Sequence, residues 1–171
     1  MTLTYDPGST HIPLLAWTIV NFSNGPVLEL GMGYTSTPLL HILCRKRKLV
    51  SIDDNRDWAG KFVSFDSDKH QIIYTPKWEE CTFDTERWGV VFIDHAPALR
   101  RKEDIKRLID KCDVMVVHDT EPVLDNFYKF SEIFPLFPYI YHYRSLMPNT
   151  SLISKKIDVV KIFNKDSLLN E

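Results

Sequence analysis

Two short stretches of the chain set an acid beside a histidine where an apolar run stops. Residues 90–97 read VVFIDHAP and residues 114–122 read VMVVHDTEP, giving the pairs Asp94–His95 and His118–Asp119. A carboxylate can keep a neighbouring imidazole oriented and basic enough to take a proton. Carboxylates can also hold a hard divalent cation that acidifies a hydroxyl. His118, with Asp119 adjacent, is the favoured base, and Asp94 completes the expected catalytic set. His95 and His11 are the other histidines in suitable places. Adjacent residues of an extended strand face opposite ways, so His118 and Asp119 can meet only if the chain turns at once after Val117. Pro122 just beyond supports such a turn.

Two further acids share the pattern. Glu29 lies in the apolar run VLEL, and Asp53 ends LVSID. An acid in a buried strand is costly unless compensated, and in open α/β sheets ligands bind beyond the carboxyl ends of the strands. Four acids along one such edge mark it as the site. The stretch VLELGMGYTST adds two glycines, Gly31 and Gly33, spaced for close backbone approach to a nucleotide. Ser36 stands where the dinucleotide signature G-x-G-x-x-G has its third glycine, and no Gly-Lys-Ser/Thr follows, so neither that signature nor a P-loop is present. Glu29, two residues before Gly31, would repel a pyrophosphate but suits a cationic ligand such as S-adenosylmethionine. Asp53, 22 residues beyond Gly31, is placed to take both hydroxyls of a ribose.

The elements that must carry these residues follow from punctuation and periodicity. A first helix opens at Ser9 or Thr10, with Pro13 in its first turn, and the sequence SNGP (23–26) ends it. Strands are expected at 27–30, 49–52, 71–75, 90–93 and 114–117. Helices are expected from Ser36 or Thr37 to about Arg47, around Trp58, Phe62 and Phe65, over 100–111 and over 122–134. A hairpin, 139–143 with 151–154, closes the chain before a polar tail. Short continuous apolar strands alternating with helices indicate an α/β domain with a mostly parallel sheet. One domain is expected, with 1–24 an N-terminal helical segment, 25–163 the core and 164–171 the tail.

The composition of the 171 residues, 44% hydrophobic and 26% charged, is that of a soluble globular chain. A net charge of −2 and an isoelectric point near 6.3 give no general attraction to nucleic acid or anionic membrane. No run approaches the roughly 18 apolar residues of a membrane span, and HIPLLAWTIVNF lacks the basic flank of a signal peptide. Cys44, Cys81 and Cys112 are odd in number and form no CxxC pair, which points to a reducing compartment, the cytoplasm, and to buried thiols. The basic runs CRKRK (44–48) and RRKEDIKR (100–107) read as a helix end and a solvated helix face. Trp78 reads as core, with a wall of the site as the alternative.

At this point the chain resembles a family. ELGMGYTSTPLLHIL together with LVSIDDN is similar to the first two motifs of the class I S-adenosylmethionine-dependent methyltransferases. The resemblance runs from Leu28 to the closing hairpin. It implies a Rossmann-like, mostly parallel seven-stranded sheet flanked by helices, with the hairpin as its antiparallel sixth and seventh strands. It implies Glu29 near the methionine amino group, Gly31 and Gly33 under the methionine part with Tyr34 and Ser36 in the same loop, and Asp53 on the ribose with Asp54 beside it. VVFIDHA and VVHDT resemble the fourth- and fifth-strand motifs of the catechol-type, metal-dependent O-methyltransferases. That likeness implies Asp94 and Asp119 as ligands of a divalent cation such as Mg²⁺, and Asp94 and His95 among the cofactor contacts, His95 flanking the adenine. The pattern departs at Thr35, where many members have glycine, at Thr120 in place of Asn, and at Pro97 in place of the catalytic Lys. The expected function is methyl transfer to an oxygen or nitrogen of a small molecule. A non-catalytic binding module and a methyltransferase of macromolecules are the alternatives.

Overall fold

The computed structural model describes residues 6–22 and 24–167. Its frame is one seven-stranded sheet with strands β1 (Val27–Leu30), β2 (Leu49–Asp53), β3 (His70–Tyr74), β4 (Trp88–Ile93), β5 (Cys112–His118), β6 (Tyr139–Tyr143) and β7 (Thr150–Ser154), in the order β3-β2-β1-β4-β5-β7-β6. β1 to β5 run parallel, and β7 lies antiparallel between β5 and β6. The expected Rossmann-like α/β architecture is the one observed.

Every residue of β1, β2 and β4 is buried, as continuous apolar runs covered on both faces require. Alternation sorts their side chains into two cores. Leu28, Leu30, Val91, Ile93, Met115 and Val117 face α4 (Ala98–Leu108) and the aromatic segment after β5. Val27, Leu49, Val90, Phe92, Val114 and Val116 face α1 (Ile12–Asn21), α2 (Ser36–Leu43) and α6 (Val159–Ser167). Among the described residues no helix is long and apolar enough to cross a membrane. The three thiols are free, with Cys44 and Cys112 buried and Cys81 partly so.

Strand order reverses between β1 and β4, which opens the crevice of a doubly wound sheet at their carboxyl ends. Gly31 lies there at φ 91°, and a Cβ on it would sit 2.6 Å from His95 Cα. Only glycine allows the loop after β1 to pass this close to the end of β4.

Several elements differ from expectation: the helix from Ser36 stops at Leu43, and the one around Trp58, Phe62 and Phe65 is a short α3 (Arg56–Gly60) followed by a 3-10 turn (Val63–Phe65). The helix expected over 122–134 is a 3-10 turn, the short α5 (Asp125–Tyr128) and two more 3-10 turns. Lys129 at φ 57° breaks it, and Asp125 accepts hydrogen bonds from the backbone and hydroxyl of Ser131. The tail expected to fray from Asn164 continues α6 as far as Ser167; 168–171 lie outside the described residues, as does Ser23 of the SNGP turn. α1 opens at His11, without a side-chain cap, in place of Ser9 or Thr10; the Ser9 hydroxyl bonds Asp6 and that of Thr10 bonds across the site.

Candidate functional site

The loop after β1 is held from three sides. Asp53 accepts the Met32 N–H on Oδ2 at 3.0 Å and the Asn55 N–H on Oδ1 at 2.9 Å. Trp58, on α3 (Arg56–Gly60), donates its indole N–H to the Met32 carbonyl at 2.7 Å. Thr37 accepts the Gly33 N–H at 3.0 Å and donates to Glu29 beneath. Tyr34, 64% exposed, leans edge-on against Trp58 and forms the outer lip.

Glu29 belongs to the interior of β1. It is wholly buried, under the loop, with Thr37 and Ser51 hydroxyls on its carboxylate. Burial pushes its pKa up to about 7, against the pull of hydrogen bonds from Ser36, Ser51 and Thr37. Through Thr37 it is linked to the Gly33 N–H of the loop. Asp53, 7% exposed, is the last residue of β2, and Asp54 follows it partly exposed.

One of the two acid–histidine pairs is broken: Asp94 leaves His95 for His118, which also keeps Asp119. Asp94 pairs with His118, whose Nδ1 lies 3.2 Å from Asp94 Oδ1. His95 instead pairs with Asp104 of α4, Nε2 to Oδ2 at 3.0 Å, and packs 4.4 Å from the buried Trp78 ring. Trp78 is core, with its indole N–H on the Ala96 carbonyl. His118 remains in β5, and the turn falls one residue later than required, at Asp119 with φ 59°. That left-handed residue brings Asp119 Oδ1 to 3.4 Å from His118 Nδ1.

Arg101 holds this corner together. Its guanidinium donates to the His95 and His118 carbonyls at 2.7 and 3.2 Å. It also pairs with Asp94 at 2.9 Å and Asp119 at 3.0 Å. A cation shared by Asp94 and Asp119 alone would therefore have to displace a guanidinium that already bridges them. Tyr128 donates to Asp119 at 2.8 Å, and Arg101 stacks 4.7 Å over its ring. Burial opposes charge on Asp94, but the His118 hydrogen bond and the Arg101 charge carry its pKa below the usual carboxylate range. For His118 burial is likewise outweighed, here by Asp94, and its pKa is raised. His11, 1% exposed, sits against Phe92 and edge-on to His118 at 5.1 Å. Desolvation lowers its pKa to about 4.

Arg101, Asp104 and Tyr128 were not singled out in the sequence, and Thr10 only as a helix opening. For two of them a signal existed. Arg101, Asp104, Ile105 and Leu108 repeat at i, i+3, i+4 and i+7, the inward stripe of a helix, and all four are buried.

No protein-family model and no curated protein matches the chain. Solved structures match its shape. A proposed caffeoyl-CoA O-methyltransferase from Staphylococcus aureus superposes with a TM-score of 0.65 at 12% identity, over 90% of this chain and 85% of that one. An O-methyltransferase from Bacillus cereus in complex with S-adenosylhomocysteine gives 0.59 at 13%, over 89% and 81%. The N-terminal domain of human METTL16, in complex with the same molecule, gives 0.60 at 12%, over 91% and 73%.

The chain has the class I methyltransferase fold. At such identities the likeness fixes architecture and leaves the chemistry to the residues.

Proposed function

We infer that the protein is an S-adenosylmethionine-dependent methyltransferase acting on an oxygen or nitrogen of a small molecule. The observation that carries this reading is His95 Nδ1, which is buried and has no hydrogen-bond partner among the described residues. Asp104 accepts the Nε2 proton, so Nδ1 is left as a bare acceptor. The His95 backbone abuts Gly31 at the crevice, at the end of the strand next to the loop that Asp53 holds. An acceptor nitrogen beside a ribose-binding carboxylate fits the exocyclic amine of adenine. Asp53 would hold the ribose, and the loop at Gly31 and Gly33 the methionine part. When bound, S-adenosylmethionine supplies a methyl group already activated on a sulfonium. The chain has then to align the acceptor, exclude water and remove a proton.

The corner of Asp94, His118 and His11 lies at the acceptor end. Beyond it, at the carboxyl ends of β5 and β6, is a cavity of about 350 Å³ lined by Thr120, Glu121, Phe130, Phe134, His142 and Arg144. Its size supports a small acceptor, as does the net charge of −2.

Calorimetry with S-adenosylhomocysteine tests the cofactor. Binding is expected, and Asp53→Ala should weaken it about tenfold or more, the worth of hydrogen bonds to a charged group. No binding to the folded chain would sink the reading; unchanged affinity in Asp53→Ala would remove the ribose assignment. Transfer of labelled methyl to small hydroxyl and amine acceptors is expected. A matching structure of METTL16 holds an RNA hairpin, so RNA belongs in the same assay, and transfer to RNA alone would overturn the small-molecule acceptor.

A further inference from the structure

The protons around His11 and His118 are already committed. Thr10 Oγ1 lies 2.7 Å from the Pro148 carbonyl and 2.8 Å from His118 Nε2. A hydroxyl has one proton and a carbonyl can only accept. Thr10 therefore donates to Pro148 and accepts Nε2–H from His118. Thr35 repeats the arrangement, with the Gly8 carbonyl at 3.2 Å and His11 Nε2 at 3.4 Å. Both rings thereby carry a proton on Nε2, so Nδ1 is the nitrogen each turns to the centre; on His118 a metal ion would take the place of the second proton shared with Asp94.

The centre of the cluster can take its positive charge either as a second proton on His118 or as a metal ion that displaces that proton. His118 Nδ1 faces the Asp94 carboxylate at 3.2 Å. His11 Nδ1 is buried with no partner among the described residues. A second proton on His118 would satisfy the contact with Asp94 and leave His11 orphaned in a ring 1% exposed. A metal ion satisfies both nitrogens at once. One ring nitrogen of His11, one of His118 and a carboxylate oxygen of Asp94 lie within 4.8 Å of one another. Ligand atoms around a bound ion stand about 3–3.5 Å apart, so a pair at the 4.8 Å limit must close by about 1.3–1.8 Å on binding. The local charge permits it: Asp94 and Asp119 outweigh Arg101, which leaves an excess of one negative charge.

We propose that His11 Nδ1, His118 Nδ1 and Asp94 bind a divalent transition-metal ion, with Thr10 and Thr35 fixing the two rings. Two imidazoles and one carboxylate select an ion such as Zn²⁺, Fe²⁺ or Mn²⁺ over Mg²⁺. Three protein ligands leave positions open, and an acceptor hydroxyl in one of them loses its proton more readily. His118 then serves as a ligand, in place of the base expected of it. Threonine hydroxyls that accept the outer N–H of each ring are the supports such ligands need. Binding requires no cofactor, so the site is testable apart from methyl transfer.

The test uses the full chain, stripped with chelator and free of S-adenosylmethionine, titrated with Co²⁺ followed by absorption and with Zn²⁺ followed by calorimetry. Binding of a single equivalent is expected, with visible Co²⁺ bands and no competition from Mg²⁺. His11→Ala and His118→Ala should abolish it. Thr10→Val and Thr35→Val, close in shape to the native residues, should weaken it about 10- to 100-fold, and they carry the test if the ring variants unfold. Absence of binding by the folded native chain, full affinity in His11→Ala or in both threonine variants, or equal competition by Mg²⁺ would overturn the proposal. S-adenosylhomocysteine calorimetry on the same stripped sample separates this failure from failure of the methyltransferase reading.

Discussion

Glu29 shows how one carboxylate can set the behaviour of a loop. It has no contact with solvent, and its partners are hydroxyls rather than cations. Its folded pKa, about 7, therefore stands above the value of 4.5 it has when exposed. The folded state binds the proton more tightly, so the contribution is fully present below pH 4.5 and is lost as pH rises from there to 7. The loss amounts to about 3 kcal/mol. Glu29→Gln should remove it: urea unfolding of native and variant chains over this window should diverge, the native chain falling relative to the variant. Parallel curves would mean that Glu29 is ionised in the fold. At this scale the sequence was informative where a residue's type was unusual for its place. Asp53, Asp94 and His118 stood out because acids and histidines at the ends of apolar strands need a reason. Arg101 and Asp104 did not, because in RRKEDIKR every charge resembles its neighbours and only helical phase separates the buried pair from the solvated ones.

Among the elements, α4 does most to fix the site. Arg101 on its first turns ties the end of β4 to the end of β5, and Asp104 one turn later positions His95 while pairing with Arg100 and Arg107. Both are almost wholly buried, so removing one partner leaves charges without compensation. Arg101→Ala should cost about 3–5 kcal/mol in denaturant unfolding. Arg101→Lys should recover little, since an ammonium cannot span two carboxylates and two carbonyls as a planar fork does. A loss under 1 kcal/mol in that experiment would show that Asp94 and Asp119 are held by other means. The strands were legible because continuous apolar runs of this length have few other uses. The helix expected over 122–134 failed because Val123 and Phe127, spaced as an apolar face, are 75% and 62% exposed. Asp125 folds back onto Ser131, and Lys129 takes a left-handed turn. Such local side-chain competition for the backbone carries no periodicity.

At the scale of the whole molecule, the residues of the site come from the length of the chain, from Thr10 ahead of α1 to Pro148 before β7. The crevice divides the sheet into β1 to β3 on one side and β4 to β7 on the other. Gly31 and Asp53 belong to the first side, Asp94, His95 and His118 to the second, and the segment carrying Thr10 and His11 closes over the junction. A ligand seated there binds only when both sides are folded and in register, so it should stabilise the molecule as one unit. Near-ultraviolet and far-ultraviolet melting curves should coincide, as for a single two-state domain. S-adenosylhomocysteine at about 100 times its dissociation constant should add about 2.7 kcal/mol. For a domain of this size that raises both midpoints together by about 5–10 °C. Asp53→Ala should lose most of that rise at the same ligand concentration while keeping coincident curves. Two separated transitions, or a shift in one signal without the other, would mean that the two sides of the sheet fold independently and that the crevice is not shared between them.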